Sequence, residues 1–257
     1  MSLLILKLVL TPLLIAAATL AARRWGPAVG GWLAGLPLTS GPVSVFLALE
    51  QGQAFAAQAA RGTLLGLIAV AAFCVAYTRS AKDSAWLRSS AIGFSLYLLA
   101  TLGLSLVSLN LTVSTLLVFA LLWVVLVAVG FPASRSSRIS APWWDLPLRM
   151  TTATMMVLFI TGGAEYLGPD WSGLLSPFPV FAFVMAAFSH RQDGAAAAHR
   201  LLRGVVIGSF AFASFFVVIA LFVQRADLVF VYLLATSVAC AVNGISLAAL
   251  VREQRAA

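Results

Sequence analysis

Charge is what this chain has least of. Only 9% of its 257 residues are charged, where a soluble domain carries about 25%. A water-facing domain cannot be covered with so little polar surface. Cysteine is nearly absent too: Cys74 and Cys240 both lie inside apolar runs, which excludes a disulfide framework and offers no metal spacing. They read as reduced packing residues. The 2 histidines, His190 and His199, flank Asp193 too loosely for a metal site. No H-E-x-x-H, G-x-S-x-G or P-loop pattern occurs. No carboxylate pair has the spacing of an intramembrane aspartyl protease. An enzyme is therefore unsupported, with a lipid-modifying enzyme the weakest of the alternatives, and nothing calls for a cofactor. No basic block interleaved with aromatics points to nucleic acid. No basic n-region precedes Ser2–Ala22, and that apolar stretch is too long for a cleavable signal peptide.

Apolar runs fill the space left. Hydrophobic residues make up 62% of the chain, and the mean hydropathy is +1.03. The pattern predicts an all-α polytopic membrane protein with nine spans: about 3–22, 28–49, 55–78, 88–108, 111–130, 147–166, 170–189, 200–223 and 228–250. Connections are short. The longest, 131–146, carries Arg135, Arg138, Trp143 and Trp144. Thirteen of the 16 lysines and arginines then fall on one side, from Arg23 and Arg24 through Arg149, Arg191 and Arg203 to Arg255. The positive-inside rule makes that side cytoplasmic. The N-terminus is expected outside and the C-terminus in the cytoplasm.

The chain also repeats itself. A shift of 142 residues lays Gly26-Pro27 on Gly168-Pro169, Pro37 on Pro179, Gly52 on Gly194 and Arg61-Gly62 on Arg203-Gly204. About 16 identities fall within residues 26–76. A shift of 135 then lays Tyr97-Leu-Leu-Ala-Thr101 on Tyr232-Leu-Leu-Ala-Thr236. This divides the chain into a four-helix repeat (1–108), a linker helix and loop (109–146) and a second four-helix repeat (147–257). With one linker span between them the repeats are inverted, the 4+1+4 plan of many secondary transporters.

The residues that could carry chemistry follow from where helices break. Gly35-Leu-Pro-Leu-Thr-Ser-Gly-Pro42 stands in the middle of the second span. A break at mid-depth is tolerated only where protein or a water-filled cavity satisfies the freed backbone. Ser40 or Gly41 is expected to cap, and Pro42 to open a second half-helix whose positive end favours anions. Thr39 adds a hydroxyl beside them. Ser176, Pro177 and Pro179 offer the same arrangement in the second repeat. Arg61 and Arg203, each followed by Gly-x-x-x-Gly, are expected as anion ligands or gates on opposite approaches. Glu50 is the candidate for coupling and a partner for Arg61. Partners implied are the lipid bilayer and a small anionic or lipid substrate; a homodimer is compatible with the pattern.

The run Leu167-Gly-Pro-Asp-Trp-Ser-Gly-Leu-Leu-Ser-Pro-Phe-Pro-Val180, with His190, Gly194 and Arg203-Gly204, resembles GlpM-type small bacterial inner-membrane proteins. The resemblance implies a fused, inverted duplication of such a unit in a bacterial inner membrane, and implies no substrate. The first repeat departs from the pattern: Ala34-Gly35 stands where the second has Ser176-Pro177, and its own Ser-Gly-Pro follows six residues later. The alternative to a transporter or flippase is a non-transporting scaffold or subunit of a larger complex.

Overall fold

Long apolar stretches that must satisfy their own backbone become helices, and the described chain is helical throughout. The computed structural model describes residues 2–38, 40–130, 142–164 and 178–256, with side chains over 8–38, 40–130, 142–158 and 178–248. Ten helices follow in order: α1 (Ser2–Trp25), α2 (Pro27–Ala34), α3 (Ser40–Glu50), α4 (Gln53–Ser80), α5 (Trp86–Ser105), α6 (Leu111–Val129), α7 (Asp145–Ala164), α8 (Val180–Asp193), α9 (Ala195–Phe222) and α10 (Leu228–Ala256). Six of them are long and apolar enough to cross a membrane: α1 from Leu8, α4, α5, α6, α9, and α10 to Ala248. The chain is a multi-pass membrane protein.

The expected nine-span, 4+1+4 count is corrected on this evidence. The stretch 28–49, expected as one span broken at its centre, is two short helices, neither long enough to cross a membrane by itself. The described part of the span expected at 170–189 is a 14-residue helix. The helix expected at 147–166 starts two residues earlier, on a charged residue, Asp145.

Two 28-residue helices, α4 and α9, form the centre. They pack on each other, and α6 lies against both. Each follows a glycine at positive φ, Gly52 (+89°) and Gly194 (+82°), where a side chain would be strained. These glycines turn the chain sharply from α3 into α4 and from α8 into α9. Phe73, Tyr77, Leu64, Leu201, Phe216 and Ile219 are fully enclosed between these helices and their neighbours.

Glycine sets how α2 meets α9. A Cβ on Gly31 would lie 1.8 Å from the Leu201 carbonyl oxygen, and one on Gly35 2.4 Å from that of Val205. From the other side, a Cβ on Gly204 would lie 2.0 Å from the Ala28 oxygen, and one on Gly208 2.3 Å from that of Trp32. The two Gly-x-x-x-Gly faces therefore touch backbone to backbone, the close approach that small residues permit in membranes. Trp32 Nε1 also donates to Ser246 Oγ on α10 (3.0 Å).

Candidate functional site

The interruption expected at 35–42 is present, with a different register. The Gly35 amide donates to the carbonyls of Gly31 (2.9 Å) and Trp32 (3.2 Å), and Leu36 to Leu33 (3.2 Å), so α2 tightens as it ends. Pro37 cannot donate, and the helical path stops there. Its carbonyl already accepts from Gly41 (2.8 Å). The helix thus resumes at Ser40, and Pro42 falls inside the first turn, where a missing amide costs little. Ser40 and Gly41 are therefore helix residues rather than caps. Thr39 lies outside the described residues. Gly35 abuts Val205 and Gly208, so the break faces the middle of α9.

The second half-helix is packed. Ser40 and Ser44 are buried, and Ser44 Oγ is 2.8 Å from the Tyr232 hydroxyl on α10. A Cβ on Gly41 would rest 3.5 Å from the Phe215 ring. On the other side, the start of α8 is capped by Pro179, whose carbonyl accepts from Phe183 (2.8 Å). Ser176 and Pro177 lie outside the described residues. Phe178 lies against Tyr97 (centroids 5.0 Å) and Phe94 (5.5 Å).

A cleft joins the first break to the start of α8. Its walls are Leu14 and Ala18 from α1, Leu33 and Ala34 from α2, Leu36 and Leu38 from the break, and Phe181. Every one is apolar, and the space is about 10 Å³, the lower limit for one water. The first break thus meets Phe181 of α8 across an apolar seam.

The charged candidates do not gather at that seam. Arg61 is exposed on α4 and Glu50 is exposed at the end of α3; among the described residues they form no ion pair with each other. Arg203 is buried, and its Nη1 donates to the Leu126 (2.8 Å) and Gly130 (3.2 Å) carbonyls at the end of α6. His199 Nε2 lies 2.8 Å from the Val129 oxygen. The α9 side chains thus serve the otherwise unpaired last carbonyls of α6. Arg61 and Arg203, alike in sequence, sit in unlike surroundings. His190 Nδ1 instead meets the Tyr77 hydroxyl (3.3 Å), so the histidines separate. Among the described residues no group of histidine, cysteine, aspartate and glutamate could hold a metal.

A cluster that sequence reasoning passed over closes the far end of the seam. Asp145 is fully buried and Arg149 is 4% exposed. Arg149 Nε donates to both carboxylate oxygens of Asp145 (2.9 and 3.0 Å). Arg23 Nη2 on α1 donates to the second oxygen (2.7 Å), and Gln192 Nε2 on α8 to the first. Arg149 also donates to Gln192 Oε1 (3.3 Å) and to the Met185 carbonyl (3.5 Å), and its guanidinium lies 4.8 Å over the Phe188 ring. Asp145 precedes the expected span. Burial pushes its carboxyl up, but the charge of Arg149 and the hydrogen bonds from Arg149, Arg23 and Gln192 outweigh this and hold it below its ordinary value. The one available signal was spacing: Asp145 and Arg149 are four apart on one helix face.

Between cleft and cluster, Thr19 Oγ1 on α1 donates to Met185 Sδ on α8 (3.2 Å). The seam runs from Leu14 to Arg23 on α1, about 14 Å at ~1.5 Å per residue. That is about half the hydrocarbon thickness of a bilayer.

The chain matches no protein-family model, and neither curated proteins nor solved structures offer a match.

Proposed function

We propose that this protein is a secondary transporter or flippase of a bacterial inner membrane. It moves a small anion or an anionic lipid headgroup by alternating access between two inverted halves. The observation that carries this reading is the interruption between α2 and α3, held against the middle of α9. Broken helices at mid-depth are costly in lipid and recur at the binding sites of inverted-repeat carriers. The halves are residues 1–108 and 147–257, joined by α6 and its loop. Their equivalence draws support from α4 and α9, which share a length of 28 residues, start 142 positions apart and follow glycines of like φ. The likeness of 167–180 to GlpM-type proteins fits a duplicated unit. The ends of α1, with Arg23 and Arg24, and of α8, with Arg191, face the cytoplasm, and the N-terminus faces outward. Ser40, Gly41, Pro42 and Pro179 border the substrate path. Arg61 is its outer arginine, and Glu50 is the coupling carboxylate.

A second reading, a non-transporting scaffold or subunit, draws on the packing of the break and on its apolar 10 Å³ cleft. The two differ in whether the seam ever becomes wet. In proteoliposomes a transporter moves fluorescent phosphatidylglycerol across the bilayer or takes up labelled inorganic phosphate. A Ser40→Cys variant, with Cys240 replaced by alanine, then reacts with a water-soluble maleimide. Neither movement nor labelling leaves the scaffold reading in place.

A further inference from the structure

The buried cluster at the end of the seam has the form of an occupied oxyanion site. Donors from three helices converge on one carboxylate: Arg149 Nε from α7, Arg23 Nη2 from α1 and Gln192 Nε2 from α8. Arginine is the side chain best matched to carboxylate and phosphate oxygens. Besides Asp145, Arg149 touches the Phe188 ring and the Met185 carbonyl.

Charge balance points the same way. Arg23 and Arg149 face a single carboxylate. Asp193 acts on Arg149 and also on Arg200, so counting both leaves arginine in excess. The site is therefore suited to a group carrying more negative charge than one carboxylate, as a phosphate does.

The placement of Asp145 makes it removable. It is the first residue of α7, just past the Pro142 turn whose carbonyl its amide meets (3.1 Å). Arg149 lies one turn further into the same helix. Between the cluster and the apolar cleft at the helix break stands the Thr19–Met185 contact.

We propose that Arg149, Arg23 and Gln192 form a binding site for a phosphate group, and that Asp145 holds it shut by standing in the phosphate's place. This rests on the transport reading for its purpose; a lipid headgroup and a free phosphate share this chemistry, and the two arms of the test separate them.

Chemical rescue tests it on the full-length protein. In phosphatidylcholine nanodiscs, Asp145→Ala lowers the melting temperature. Exchange into phosphatidylglycerol-containing nanodiscs restores at least half of that loss. Wild type, its site filled by Asp145, gains little. An Asp145→Ala, Arg149→Gln double variant gains nothing from either treatment. Inorganic phosphate forms a second arm: rescue by it alone supports the site and makes its ligand a free anion. Asp145→Asn, which keeps the shape, takes the same comparison where the alanine variant does not fold. No rescue from either source, or equal rescue in the double variant, overturns the site. The readout is binding alone, so rescue in a protein that moves no substrate would remove the transport reading and leave this one standing.

Discussion

Arg61 and Arg203 occupy matching places in the sequence, yet one is exposed on α4 and the other is buried against the last carbonyls of α6. Removing Arg203 orphans two carbonyls in a low-dielectric setting. Hydrogen bonds to a charged group contribute about 1.5–3 kcal/mol. Arg203→Ala should therefore lower the melting temperature by that equivalent, while Arg61→Ala stays within about 0.5 kcal/mol of wild type. Equal thermal effects for the two would contradict the capping role of Arg203. The motif Arg-Gly-x-x-x-Gly was legible in the sequence, but the burial of its arginine was not. Burial depends on which helix end arrives from elsewhere in the chain. Asp145 escaped for a related reason: beside Trp143 and Trp144 it looks like a polar flank, and its partners Arg23 and Gln192 are 122 and 47 residues away in sequence.

At the scale of helices, proline and glycine made the break at 35–42 readable, because they act on their own backbone. The register of the restart was not readable, since it turned on the Pro37 carbonyl finding Gly41. The α2–α9 contact was half legible. Gly204-x-x-x-Gly208 announces a close approach, but its partner face, Gly31-x-x-x-Gly35, emerges only in three dimensions. The interface makes a sharp prediction. Gly31→Ala and Gly204→Ala each force a methyl onto a backbone carbonyl, and overpacking of this kind costs about 1–3 kcal/mol. Gly103→Ala and Gly244→Ala meet nothing within 4 Å, and should be neutral or stabilising by up to about 1 kcal/mol, as for alanine replacing glycine in a helix. Melting temperatures of the four variants decide it. Four alike would mean that the helices do not touch through these glycines.

The whole molecule divides along its tight and loose contacts. α2 is held to α9 through backbone. α1 is held to α2, where a Cβ on Gly30 would lie 2.5 Å from that of Ala22. These three helices have no room to slide independently. Across the seam, α1 meets α8 through a hydroxyl-to-sulfur bond and a small apolar cleft, while the Arg23–Asp145 pair and close packing tie α1 to α7. Polar links of this sort can be exchanged for water or for a ligand, whereas interlocked glycine backbones cannot. Access to the break should therefore open between α1 and α8, which touch far less than α1 touches α2 or α7. Thr19 and Met185 stand on opposite sides of that opening. With Cys74 and Cys240 replaced by alanine, a Thr19→Cys, Met185→Cys variant joined by a short bifunctional thiol reagent should stop lipid or phosphate movement in proteoliposomes. A reagent with a disulfide in its spacer should allow reduction to restore it. The same treatment of either single-cysteine variant should leave movement unchanged. Full movement through a locked seam would show that the substrate takes another route.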